Sequence, residues 1–223
     1  MNTRFLKPAA LVLASLAAMA FSFGGWAVIT VDDLPHAFTV GEPVSIAFTV
    51  RQHGVRPLDG LAPTIVASDG THGQGDVSAS ASPSGPSGHY EASLVVPRRG
   101  NWRVTINSGF RTSAVTLYPI PAVSLKAPVQ QRPPAELGQR LFVAKGCVTC
   151  HVHGAVEGFG SLTVGPTLTA KRYQTDYLAK LLADPSTART PGQQNIMPNL
   201  GLRSAEIVAL VAFINADRQV SAR

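Results

Sequence analysis

Sulfur is scarce in this 223-residue chain, which holds two cysteines, Cys147 and Cys150, and three methionines. Met1 and Met19 fall in an apolar N-terminal stretch, so Met197 is the one thioether expected in a processed chain. From residue 21 to residue 146 there is neither Cys nor Met. That excludes a standard blue-copper centre there, because such a centre needs a Cys and two His, usually with an axial Met. Charged residues are also sparse, at 14%, and aromatics make up only 7%. The 19 Lys and Arg against 13 Asp and Glu leave a formal charge of +6, but no run of cations concentrates it. Nucleic acid is therefore not an expected partner. The chain has no G-x-S-x-G, no H-E-x-x-H and no P-loop, and Gly158-Phe-Gly160-Ser161 does not complete a dinucleotide fingerprint. At 45% hydrophobic residues the chain can bury cores, so an all-disordered chain is excluded and one large or two small domains are expected.

Arg4 and Lys7 precede an uncharged stretch from Pro8 to Val31, densest between Ala9 and Ala20, and Ala18-Met19-Ala20 supplies small residues for cleavage. Residues 1–25 read as an export signal, with an uncleaved membrane anchor as the alternative. Ser22, Gly24 and Gly25 interrupt the apolar run, and Trp26, Val28 and Thr30 alternate with Ala27, Ile29 and Val31 as a strand does. Either reading places the remainder outside the cytoplasm, in a periplasm or on the outer face of the cytoplasmic membrane, with membrane association through the N-terminus.

Residues 26–118 have period two. Val44, Ile46, Phe48 and Val50 share a face, as do Tyr90, Ala92, Leu94 and Val96, then Trp102, Val104 and Ile106, then Ser113, Val115 and Leu117. Short strands punctuated by Gly, Pro, Asn and Asp predict an antiparallel, immunoglobulin-like β-sandwich of about seven strands. Within the Ser- and Gly-rich stretch 68–88, Asp76 to Ala81 is expected to form a short strand and Pro83 to Gly88 a mobile turn. Gly88-His89-Tyr90 and Gly100-Asn101-Trp102-Arg103-Val104 resemble the small extracytoplasmic domains of the YtkA/FixH-like type. That resemblance implies a link to copper handling. His36, His53, His72 and His89 show no ligand spacing, and solvent-facing or loop positions are the expectation for them. Residues 119–134 carry Pro119, Pro121, Pro128, Pro133 and Pro134 without a helical or strand period, and read as an extended linker, with an ordinary connection lying along the sandwich as the alternative.

Residues 135–223 hold Cys147-Val148-Thr149-Cys150-His151, the C-x-x-C-H arrangement to which haem is covalently attached. Each thiol adds to one vinyl group of the macrocycle, and the adjoining His presents an imidazole to the iron. A disulfide or thioredoxin-like pair is the competing reading of C-x-x-C. A zinc site would require a second Cys pair, which the chain lacks. Met197, followed by Pro198 and 46 residues beyond His151, is the candidate sixth ligand, flanked by Asn195 in a Gly-, Asn- and Pro-rich segment. His153 lies too close to His151 to reach the opposite face and is read as exposed.

The segment from about Pro134 to Asp217 resembles the small class I c-type cytochromes. Ala135 to Gly146 reads as a first helix, Tyr177 to Ala183 as a middle helix ended by Asp184-Pro185, and Ala205 to Asn215 as a last helix capped by Ser204. Gly165-Pro166-Thr167-Leu168 resembles the family's Gly-Pro-x-Leu segment, which implies that the Pro166 carbonyl accepts the N–H of His151. The resemblance also implies that first and last helices cross, at Gly138 and Phe142 opposite Phe213, where the family usually carries Tyr. Lys171, Arg172 and Tyr173 are candidates for a haem propionate. The expected architecture is a β-sandwich followed by an all-α cytochrome c domain with one covalent haem c. Cys147, Cys150, His151, Pro166 and Met197 are its site residues, and His151 and Met197 hold the iron. With both axial positions filled, no site is left for oxygen or peroxide, so electron transfer rather than catalysis is expected. The expected partners are an oxidase, a reductase or a membrane electron donor. One alternative is a copper-handling or oxidase-assembly module in which the sandwich binds metal or a partner and the haem is a redox helper, and another is an enzyme or sensor whose Met197 dissociates to open the iron.

Overall fold

A computed structural model describes residues 25–70, 75–124, 131–156, 162, 164–188 and 197–216. The leader, His72 and Asn195 lie outside these residues. The first half is built from β1 (Ala27–Val31), β2 (Phe38–Thr39), β3 (Pro43–Gln52), β4 (Arg56–Pro57), β5 (Thr64–Ser68), β6 (Val77–Ser80), β7 (Ser82–Pro83), β8 (His89–Val95), β9 (Gly100–Asn107), β10 (Ala114–Thr116) and β11 (Ile120–Val123). One sheet runs β1-β3-β8-β7 with β4 beside β3, and the other runs β2-β11-β9-β5-β6 with β10 beside β9. Ile46, Phe48 and Val50 of the first sheet and Trp102, Val104 and Ile106 of the second meet in one core, as period two requires. The expected strand at Asp76 to Ala81 is β6. The segment from Pro83 to Gly88 is a turn closed by the Ser84 N–H on the His89 carbonyl and the His89 N–H on the Pro86 carbonyl.

Two expectations about the sheets need correction. The sheets are not wholly antiparallel, because β11 pairs in parallel with β2. That same strand lies in the segment read as linker. Ile120 to Ala122 pair with Trp102 to Gly100, so the sandwich continues past residue 118. Pro121 is tolerated there because β2 runs alongside only Ala122 and Val123.

The second half comprises α1 (Pro134–Ala144), the single turn α2 (Cys147–Cys150), α3 (Thr175–Ala183) and α4 (Ser204–Ile214). Pro134 opens α1 at the position where its missing N–H costs nothing. Gly146, at φ +78°, ends that helix in the left-handed conformation, its N–H on the Val143 carbonyl. Ser204 is not the cap of the last helix. Glu206 reaches back to accept the Arg203 N–H at 2.9 Å, which makes Ser204 the first helical residue. Helices α1 and α4 cross at Gly138, where a Cβ would overlap the Ala209 carbonyl oxygen and lie 2.6 Å from Cβ of Phe213.

The two halves share an interface. The edge strand β1 is buried on both faces: Ala27, Ile29 and Val31 enter the sandwich core, while Val28, on the other face, is only 4% exposed. A Cβ on Gly146 would meet Val28 Cγ1 and lie 2.7 Å from the Ile29 carbonyl oxygen, so the end of α1 covers β1. Val143 and Ala144 of α1 accordingly belong to the sandwich core. Lys145 donates to the Asp32 carbonyl at 2.7 Å and pairs with Glu206 at 2.9 Å. Arg140 donates to the Pro119 carbonyl at 2.6 Å. Burial, and then the neighbouring charge of Arg132, bring Arg140 down to about 10.

Candidate functional site

Helix α2 follows directly on the left-handed turn at Gly146, so Cys147 and Cys150 stand one turn apart on the same side. Both are free thiols. Burial pushes the Cys147 thiol up to about 12 and raises that of Cys150 as well. A thioredoxin-like pair works through a lowered thiolate pKa, and these thiols are shifted the opposite way.

His151 follows in extended conformation. Its Nδ1 lies 2.9 Å from the Pro166 carbonyl oxygen, so Nδ1 carries the proton and donates, leaving Nε2 as the free lone pair. Two backbone bonds hold the strands of this clasp together: Gly165 N–H to the Cys150 carbonyl at 2.9 Å and Leu168 N–H to the Val152 carbonyl at 2.8 Å. Gly165 is required by contact rather than by turn geometry. A Cβ there would lie 2.6 Å from Nδ1 of His151 and closer still to Cε1. The ring therefore rests against bare backbone. Gly165→Ala is expected to push the ring away and break the bond to Pro166. Long-range ¹H–¹⁵N spectra check this: the His151 Nδ1 proton, protected in the wild type, should exchange with water as in a free imidazole.

Cys147, Cys150, His151, Pro166 and Met197 all line one cavity of about 480 Å³, within the range of organic ligand and cofactor sites. Phe142, Leu168, Leu178, Leu182 and Ile214 supply apolar walls. Tyr173 joins them, its backbone N–H and carbonyl both held by the Asn215 side chain at 2.9 and 3.0 Å. Lys171 and Arg172 stay exposed and are not among the cavity-lining residues. A cavity walled by apolar side chains, with two thiols one turn apart, an oriented imidazole and a thioether, fits a planar macrocycle bearing vinyl groups and iron.

His153 is not exposed. It is 7% accessible and packs between Phe142 and Phe213, with ring centroids 6.0 and 4.3 Å away. Its Nδ1 accepts the Ala155 N–H at 3.2 Å. Filling the angle between two crossing helices explains the burial, and Phe213 packs against Phe142 at 5.5 Å with no hydroxyl to satisfy.

The residue pattern along 135–216 and this geometry agree with a known family. Residues 135–216 match the cytochrome c family model. The chain is thus a β-rich N-terminal region followed by a helical cytochrome c domain, whose family implies covalently bound haem c, haem-based electron transfer and redox partners. No curated protein matches. The chain is similar to domains 4 and 5 of the S-layer protein SbsC, at 16% identity and TM-score 0.33, over 45% of this chain and 54% of that one. It is likewise similar to SbsC domains 1–6, at 17% identity and TM-score 0.33, over 47% of this chain and 14% of that one. The chain thus spans less than two thirds of the length of either structure.

The described histidines of the sandwich, His36, His53 and His89, form no metal-binding group. His89 Nε2 meets Asp32 at 2.6 Å and its Nδ1 bonds the Ser84 carbonyl. Burial lowers its pKa, but these bonds and the Asp32 charge outweigh that and raise it. His36 is exposed. Among the described residues no three His, Cys, Asp or Glu side chains group as a metal site. What sequence reasoning missed is that Trp26, Val28 and His53 of the sandwich line the same cavity as the cytochrome c residues. Trp26, just before β1, shares with Val28 and Thr30 the face of that strand turned away from the sandwich core, and two apolar side chains on that face of an edge strand were the available signal.

Proposed function

We propose that the chain is an extracytoplasmic electron carrier with a single haem c, passing one electron at a time in a respiratory-type chain. Cys147 and Cys150 would hold the haem through thioether bonds, and His151 and Met197 would ligate its iron. When bound, the haem supplies one-electron ferric/ferrous chemistry. The residues do the rest. Pro166 orients the imidazole through its carbonyl and leaves Nε2 free to ligate iron. Gly165 lets that ring lie flat against the backbone. The apolar side chains around Leu168, Leu178 and Leu182 keep water from the site, and ligation by the Met197 thioether would favour the ferrous state. The partners are an electron donor in or near the membrane and an oxidase or reductase. The sandwich, assigned to the immunoglobulin-like class, positions the carrier.

The observation that supports this reading most is that two thiols, the Pro166-tethered His151 and Met197 come together in one cavity from three separate segments. Ferric and ferrous absorption spectra, with alkaline pyridine to count haems, test it. One haem per chain is expected. The ferric protein should show a sulfur-to-iron charge-transfer band that is absent from Met197→Ala, and a band that persists in the variant refutes the ligation.

A further inference from the structure

The sandwich forms part of the cavity wall at Met197 and Pro198, and the contacts there interlock. β3 and β4 are joined by a tight turn in which His53 (φ +52°) and Gly54 (φ +76°) both adopt positive φ, with the Val55 N–H on the Gln52 carbonyl at 3.1 Å. The His53 N–H donates to the Trp26 carbonyl at 3.0 Å, and the two rings lie 5.4 Å apart at 56°. Gly54 is buried beneath them. A methyl on it would lie 3.5 Å from Cγ2 of Val28 and 3.8 Å from Cγ of Pro198, so the turn rests on β1 on one side and on the residue after Met197 on the other. Buried Val28, half-buried Trp26 and His53, which is exposed to solvent at the rim, line the cavity from this position.

We propose that Trp26 and His53 are positioning residues of the redox centre, backing the Met197–Pro198 segment and excluding water from the edge of the haem. The sandwich thereby sets the potential and the ligand access of the iron, a role a tether would not have. This rests on the haem reading above. The physical reason is dielectric: ferric iron carries one more positive charge than ferrous, so water at the edge favours the ferric form and a dry wall disfavours it.

The test uses the full chain, purified from cells that attach c-type haem, with alkaline pyridine selecting haem-loaded material. His53→Gly removes the imidazole where positive φ suits glycine, and it keeps the backbone bond to Trp26, so it avoids new strain. Trp26→Ala removes the larger wall, and Trp26→Phe restores most of it. His53→Gly and Trp26→Ala are each expected to shift the ferric/ferrous equilibrium about tenfold toward ferric, a potential lower by about 59 mV for a one-electron couple. Added imidazole should bind the ferric variants about tenfold more tightly, and Trp26→Phe should behave as wild type. If Trp26→Ala does not fold, His53→Gly decides. Haem-loaded His53→Gly with wild-type potential and imidazole affinity overturns the inference and leaves the haem reading standing. A wild-type chain that carries no covalent haem overturns both.

Discussion

Gly138→Ala is expected to destabilise the cytochrome c domain, although alanine is the better helix former. Propensity alone favours the substitution by about 1 kcal/mol in the interior of α1. Against it stands the crossing with α4, where the new Cβ would overlap the Ala209 carbonyl oxygen and press on Cβ of Phe213. A backbone carbonyl cannot rotate aside, so the helices must separate, and separation also loosens the packing of Phe142, Phe213 and His153. Overpacking of this kind costs about 1–3 kcal/mol and more where backbone must move. The overlap is deep, so the upper end applies, and the net loss is about 2 kcal/mol. For a domain of this size that lowers the melting midpoint by roughly 8–16 °C. Helical circular dichroism on heating checks it, with Glu136→Ala, a half-exposed first-turn change that removes only an ion pair with Arg132, as the small-effect control. A Gly138→Ala melt at or above the wild-type midpoint would show that α1 and α4 do not cross at this residue.

Legibility from sequence followed the range of the interactions involved. The C-x-x-C-H run is local, so two thiols one helical turn apart beside a histidine could be read directly, and period-two alternation is local geometry, so the core strands β3, β8 and β9 were recoverable. Pro166 was reached only through family resemblance, because nothing in its neighbourhood says that its carbonyl meets an imidazole fifteen residues away. Ile120–Val123 was hidden because Pro119 and Pro121 suppress a strand signal that only pairing with β9 and β2 reveals. The interdomain surface was hidden for a further reason. Lys145 reads as an ordinary surface cation near a helix end, yet it is 4% exposed, and its partners are a carbonyl over a hundred residues earlier and a carboxylate sixty residues later. His153 was misjudged in the same way, since burial of a lone histidine depends on which helices close over it.

Lys145→Met is expected to be the most damaging single change at the domain interface. Its ammonium is shared between the Glu206 carboxylate at 2.9 Å and the Asp32 carbonyl at 2.7 Å, tying α1 and α4 to the residue just after β1. Glu206 is itself only 5% exposed. Removing one member of a buried ion pair costs about 3–5 kcal/mol, mostly because the remaining charge stays buried. Arg203 retains a bond to Glu206 at 2.9 Å, which places the loss toward the lower end of that range. The double variant Lys145→Met with Glu206→Gln should recover part of it, because no unpaired charge remains. pH supplies a second readout. Burial raises the Glu206 pKa, but hydrogen bonds from Arg203 and Lys145 together with the Lys145 charge outweigh it and hold the carboxyl below its usual value. A depressed folded-state pKa gives stability that is present above the unfolded value, about 4.3, and is lost as pH falls through the folded one. Without Lys145 the folded pKa rises, so the acid limb of the stability curve should move to higher pH. Urea unfolding at neutral pH, followed by helical circular dichroism and by the near-ultraviolet signal of the sandwich tryptophans Trp26 and Trp102, should show coincident transitions in the wild type. In Lys145→Met the helical transition should come at lower urea than that of the sandwich, because the contact that makes them unfold together has been cut. Coincident transitions at the wild-type midpoint would mean that Lys145 does not couple the two domains.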